Sequence, residues 1–243
     1  MISDNGLGVV PTRDTSEGLR RIVTMTGAYE FRNLTVKHIR DLKGKRQLTE
    51  TLPFYEEEAA AAAEAGIDML NVRYDPRAPE LAIAIRKAAP HTFMSFVIPF
   101  MSVTSEKEAL KVAFSAMECG ADSIMCQCSL DFVSVMARSG VPVQGHVGLV
   151  PRKSTWTGGL RSVGKTVNEA IDIFHSIKKL EDAGEWAVEC EVVPALVMKE
   201  LSKRTSLVTI SIGSGGGADV QFLFAEDILG YHFDSARTPR HAK

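Results

Sequence analysis

Two periods of apolar residues alternate along this chain. Short apolar runs of roughly four to seven residues are separated by stretches in which apolar residues return every third or fourth position. The runs read as strands at 68–72, 91–98, 123–126, 141–146, 186–190, 207–212 and 220–223, with 48–52 as a weaker first member. The intervening stretches read as helices at 35–42, 56–65, 79–89, 105–119, 130–138, 166–183 and 194–203. Helix punctuation agrees: Thr35 is a candidate N-cap, Ser105 and Glu108 have capping-box spacing, and Gly66, Gly120, Gly140 and Gly184 follow helix ends. Alternating strand and helix implies βαβ units on a parallel sheet, and about eight repeats is the number that closes a (β/α)8 barrel. A doubly wound sheet is the alternative, but no G-x-G-x-x-G follows an early strand. Residues 1–34 lack the pattern and are expected to form an N-terminal arm, leaving 35–243 as one barrel domain.

The chain's 243 residues suit a single barrel, which needs about 250. With 45% hydrophobic and 24% charged residues and a formal charge of −2, neither nucleic acid nor an anionic membrane has an electrostatic claim on it. Basic residues do gather between Lys37 and Arg46, but Asp41 interrupts them, as on a solvated face. No apolar run approaches the roughly 18 residues of a membrane span, and no secretory segment is visible, so a cytoplasmic protein is expected. Cys119, Cys126, Cys128 and Cys190 have neither C-x-x-C spacing nor an accompanying His cluster, which argues against zinc and for reduced thiols. Cys126 and Cys128 would share one face of a strand.

The candidate chemistry lies at strand exits. His146 ends one apolar run between glycines, and Glu189 and Glu191 end another with the same side-chain parity. In a barrel of this kind chemistry sits at the C-terminal ends of strands.

Several segments carry a family resemblance. Thr35-Val-Lys-His-Ile-Arg-Asp-Leu-Lys-Gly44, Ala65-Gly-Ile-Asp-Met-Leu70, Ile98-Pro-Phe-Met101, Gly145-His-Val-Gly-Leu-Val-Pro151, Gly158-Gly159, Glu191-Val-Val-Pro194, Ile210-Ser-Ile-Gly-Ser-Gly215, and Gln221 with Asp227-Ile-Leu-Gly230 follow one another in family order. Together they resemble ketopantoate hydroxymethyltransferase, of the phosphoenolpyruvate mutase and isocitrate lyase superfamily. The resemblance implies a (β/α)8 barrel, assembly into a homo-oligomer, and transfer of a hydroxymethyl group from methylenetetrahydrofolate to an α-keto acid with Mg²⁺. The family's V-G-D-S, which holds a metal-ligating Asp, reads Val72-Arg-Tyr-Asp75 here, and its second metal Asp is Val97. Its K-I-E reads Met125-Cys-Gln127, and its T-A-Y-D reads Leu52-Pro-Phe-Tyr55. Glu191, at the position of the family's base, and His146 remain.

Mg²⁺ takes hard oxygen ligands, so replacement of the two aspartates by Tyr74 and Val97 argues against the family's ion, unless Asp75 slips into one position. No metal ligands are therefore expected. Glu191 and His146 are the expected catalytic pair; the plainer alternatives are a helix cap for Glu191 and a loop-holding role for His146. Arg73 is expected to bind a substrate carboxylate and Tyr74 to donate to an enolate oxygen, against a surface pair with Asp75 and simple packing. Asp75, Gln127, Lys153 (beside Arg152, Trp156 and Arg161) and Ser214 (within the glycine run 213–217) complete the expected substrate contacts. The expected function is a divergent carbon–carbon lyase or hydroxymethyl transferase acting on a small carboxylate or keto acid without the family's metal site, with tetrahydrofolate as the implied cofactor. Two alternatives stand beside it: the family's own Mg²⁺-dependent reaction, and a binding subunit without catalysis.

Overall fold

The computed structural model describes residues 18–100 and 102–231. An antiparallel hairpin, β1 (Arg20–Val23) and β2 (Tyr29–Arg32), comes first. Alternating elements follow: α1 (Val36–Leu42), β3 (Leu48–Leu52), α2 (Glu56–Glu64), β4 (Met69–Arg73), α3 (Glu80–Ala88), β5 (Phe93–Val97), α4 (Glu106–Glu118), β6 (Ser123–Met125), α5 (Leu130–Arg138) and β7 (Val143–Gly148). After a 3-10 turn at Pro151–Lys153 come α6 (Ser154–Thr157), α7 (Val167–Asp182), β8 (Ala187–Glu191), α8 (Ala195–Lys203), β9 (Val208–Ile212), β10 (Val220–Phe224) and α9 (Ala225–Leu229).

Strands β3 to β10 are parallel and close into an eight-stranded barrel, β10 pairing back onto β3 from Val220↔Leu48 to Phe224↔Leu52. The weak first strand is therefore a full partner in closure. Parity divides the side chains. Leu48, Met69, Phe93, Val208, Ile210, Val220 and Phe222 cluster in one core, while Leu70, Val72, Phe96, Ile124 and Val143 pack with helical residues in another. The helices lie where their caps put them. Ser105 accepts from the Glu108 amide at 3.2 Å, and Thr166 with Glu169 forms a complete capping box. Among the described residues no helix is long and apolar enough to cross a membrane.

Three expectations need correction. From Gly18 onward the arm contains a hairpin docked on its own barrel, while residues 1–17 lie outside the described residues. The buried Arg32 guanidinium reaches Asp122 at 2.8 Å and the Pro90 carbonyl at 2.9 Å, and Asp122 also takes Arg86 at 2.7 Å. The strand expected from residue 91 starts at Phe93, because the preceding backbone is held by side chains: the Thr92 carbonyl accepts from Arg86 at 2.8 Å. The sulfurs of Cys126 and Cys128 are joined, in place of the expected reduced thiols, whereas Cys119 and Cys190 are free. Their shared face, at the end of β6, is what lets the two sulfurs meet.

Candidate active site

Strands β7 and β8 are neighbours, in a register that sets His146 opposite Glu189 and Gly148 opposite Glu191. Glu189 and Glu191 share parity, so both carboxylates meet the imidazole on the inner face. His146 Nε2 lies 3.1 Å from Glu191 Oε2 and 3.7 Å from Glu189 Oε1. Gln127, just past β6, donates from Nε2 to His146 Nδ1 at 2.9 Å, which places the ring proton of a neutral imidazole on the carboxylate side.

This group is nearly closed to water, with His146 and Glu189 side chains only 3% and 6% exposed. Burial works against a charge on His146, yet Glu189 and Glu191 more than offset it and hold its pKa above the usual 6.5. Burial pushes Glu189 up to about 7, with His146 opposing and Glu191 adding to the shift. Deeper in the barrel, burial and the neighbouring Glu189 push Glu50 well above the carboxylate range.

The turn after β8 is locally strained. Val192 has φ 50°, a left-handed conformation that a β-branched residue rarely adopts. Surrounding bonds impose it. The Val192 amide donates to the Ile212 carbonyl at 2.9 Å, and the Leu149 amide to the Glu191 carbonyl at 2.8 Å. Ser214 Oγ accepts from the Val193 amide and donates to the Cys190 carbonyl, both at 2.8 Å. Gly148, with φ 85°, passes so close to the Glu191 carbonyl that a Cβ has no room there.

A cavity of about 460 Å³ opens over the cluster. Arg73, Asn71 and Arg152 line it beside Gln127, His146 and both glutamates. Its opposite wall is apolar, from Leu52, Phe222 and Phe224. The Arg73 guanidinium lies over the Phe54 ring, 4.4 Å from its centroid.

The expected site residues separate accordingly. Gln127, His146, Glu191 and Arg73 converge on the cavity. Tyr74 borders the cavity, with its hydroxyl bound to Ser115 of α4 at 2.8 Å and its ring packed on Phe96. Ser214 spends its hydroxyl on the β8–α8 turn rather than on a ligand. Asp75 borders the cavity but is paired with Arg77 at 2.9 Å, whose side-chain bond holds its pKa down at about 2. Lys153 lines the neighbouring cavity with Trp156 and Arg161; Trp156 is 90% exposed there, and Arg161 pairs with Glu169 at 2.7 Å. Glu189 and Arg152, noted in the sequence beside Glu191 and Lys153, also line the cavity; Asn71 is the addition, and its strand parity with Arg73 was the signal.

The sequence profile described as ketopantoate hydroxymethyltransferase matches residues 78–243. The 3-methyl-2-oxobutanoate hydroxymethyltransferase of Caldivirga maquilingensis is 30% identical over 234 residues, covering 88% of this chain and 87% of that one. The enzyme of the same name from Kosmotoga olearia is 32% identical over 230 residues, covering 86% and 85%. This chain belongs to the ketopantoate hydroxymethyltransferase family. Its barrel also resembles 2,3-dimethylmalate lyase, a phosphoenolpyruvate mutase/isocitrate lyase superfamily member, at TM-score 0.56 and 12% identity over 81% of this chain and 83% of that one.

The family resemblance places hard oxygen ligands for Mg²⁺ at the ends of β4 and β5. Tyr74 is turned to Ser115, Val97 has no ligand atom, and the Asp75 carboxylate is taken by Arg77.

Proposed function

We propose that this protein makes or breaks a carbon–carbon bond beside the carbonyl of a small 2-keto acid, without an ion at the β4 and β5 ends. The observation that carries the reading is the His146–Glu189–Glu191 cluster, facing a cavity that also presents Arg73. Chemistry at that carbon needs a base for its proton and positive charge for the enolate and the carboxylate. Glu191 is the base, returning the proton as an acid in the reverse direction. His146 supplies charge beside the enolate oxygen, and Arg73 binds the carboxylate. Gln127 holds the imidazole, and the apolar wall receives the substrate's alkyl group.

The test is an assay of the purified protein against a panel of short 2-keto acids with aldehyde or folate one-carbon donors, and of the corresponding hydroxy-acid products for cleavage. Glu191→Gln is expected to lower turnover at least about 100-fold. Adding Mg²⁺ to chelator-treated protein is expected to leave the rate unchanged. A strict Mg²⁺ requirement would sink the reading. A second reading, the family's own hydroxymethyl transfer, is favoured by the 30–32% identity to the enzymes of that name. Rescue of a pantothenate-requiring strain would select it.

A further inference from the structure

Several polar atoms on the inner face of the barrel are buried without a hydrogen-bond partner among the described residues. His146 Nε2 is fully buried and, although 3.1 Å from Glu191, lacks the alignment of a hydrogen bond. Among the described residues, Gln127 Oε1, Asn71 Oδ1 and both Glu50 carboxylate oxygens are likewise buried without a hydrogen-bond partner. Buried polar atoms are rarely left so, and an unpartnered imidazole nitrogen set beside two carboxylates is an arrangement that a cation would complete.

We propose that His146 Nε2, a carboxylate oxygen of Glu189 and Glu191 Oε2 form a binding site for one divalent transition-metal ion of the Zn²⁺, Mn²⁺ or Co²⁺ class. The three ligand atoms lie within 4.8 Å of one another. Metal–N and metal–O bonds of about 2.0–2.2 Å put neighbouring ligand atoms roughly 3–3.5 Å apart. The observed 3.1 Å from Nε2 to Glu191 meets that spacing, and the 3.7 Å to Glu189 lies just outside it, so Glu189 would turn toward the ion on binding. The ligands come from two adjacent strands, so they cap the ion from one side. The other side faces the cavity, as in catalytic sites that keep positions open for substrate.

Gln127 supplies the supporting shell. An imidazole that binds a metal through Nε2 carries its proton on Nδ1 and gives it to an acceptor. A flip of the Gln127 amide brings the unpartnered Oε1 to that proton, satisfying both atoms at once. One nitrogen and two oxygens suit borderline ions, whereas Mg²⁺ prefers oxygen alone. With the ion bound, the positive charge beside the keto oxygen would come from Lewis-acid polarisation in place of a protonated His146, and Glu191 keeps its second oxygen for the substrate proton. The site is thus displaced to β7 and β8 from the strand ends where the family resemblance places a metal.

The inference concerns the same cavity as the proposed reaction, but its readout is binding without turnover, so the two can fail separately. Metal-stripped full-length protein is titrated with Co²⁺ and followed by visible absorption and calorimetry. One ion per chain is expected, with d–d bands of a mixed nitrogen and oxygen site and no displacement by millimolar Mg²⁺. Glu189→Gln is expected to weaken binding at least about tenfold, and Asp75→Asn to leave it unchanged. Absence of binding at millimolar Co²⁺, ready displacement by Mg²⁺, or loss of binding in Asp75→Asn would each overturn the proposal. Anomalous diffraction from Co²⁺-soaked wild-type crystals needs no variant: a peak among the three side chains supports the site, and a peak elsewhere or none refutes it.

Discussion

Glu185 shows how a single residue can set a pH response. Its carboxyl is buried against Gly145, in the space a Cβ there would need, and has no hydrogen-bond partner among the described residues. Burial alone pushes its pKa from 4.5 to about 9. The folded state therefore keeps a proton that the unfolded chain releases, so this group's contribution to stability falls as pH rises between those values. Glu185→Gln removes the titration. It is expected to stabilise the protein by on the order of 1–2 kcal/mol near pH 8 and to flatten the slope, as read by urea unfolding across that range. An unchanged slope would mean that the carboxyl reaches water. At this scale the site was partly legible. His146 and Glu191 stood in recognisable motifs. For Tyr74 the strand parity carried a signal of its own: with Met69, Asn71 and Arg73 facing inward, the next side chain turns to the helices, where its hydroxyl meets Ser115.

Among elements, the strand β8 and its exit determine where the chemistry is aimed. Relaxing the left-handed Val192 would gain about 1–2 kcal/mol, against roughly 0.5–1 kcal/mol of added chain entropy for glycine. Val192→Gly is thus expected to keep stability within about 1 kcal/mol of wild type while lowering turnover about tenfold, because Glu191 loses its fixed aim. Equal turnover in both proteins would make the strain incidental. The alternation of strands and helices was readable because the strands are buried on both faces and so leave unbroken apolar runs. The β1–β2 hairpin was not, since Arg20, Arg21 and Arg32 disguise it. Besides its near neighbours Glu30 and Phe31, the buried Arg32 is held by Asp122 and Pro90, which are distant in sequence.

For the molecule as a whole, the hairpin raises the question of assembly. Val23 and Tyr29 are a register pair, 61% and 63% exposed, and Met25 is 46% exposed nearby. Arg21 covers only one face of Tyr29, 4.1 Å from its centroid. We propose that the homo-oligomer implied by the family resemblance is built through this hairpin, so that Val23→Lys with Tyr29→Lys shifts the mass measured by light scattering toward the monomer, without loss of helical signal. A wild type that is already monomeric would end it.

The cavity has a wet half and a dry half. The proposed base Glu191 and its partner His146 come from β8 and β7, while Leu52, Phe222 and Phe224 come from β3 and β10 across the barrel. Because the two halves sit on different strands, selection can reshape the dry wall, and with it the length or branching of the acid admitted, one side chain at a time and without disturbing the reacting groups. A barrel divided in this way can change its diet while keeping its teeth.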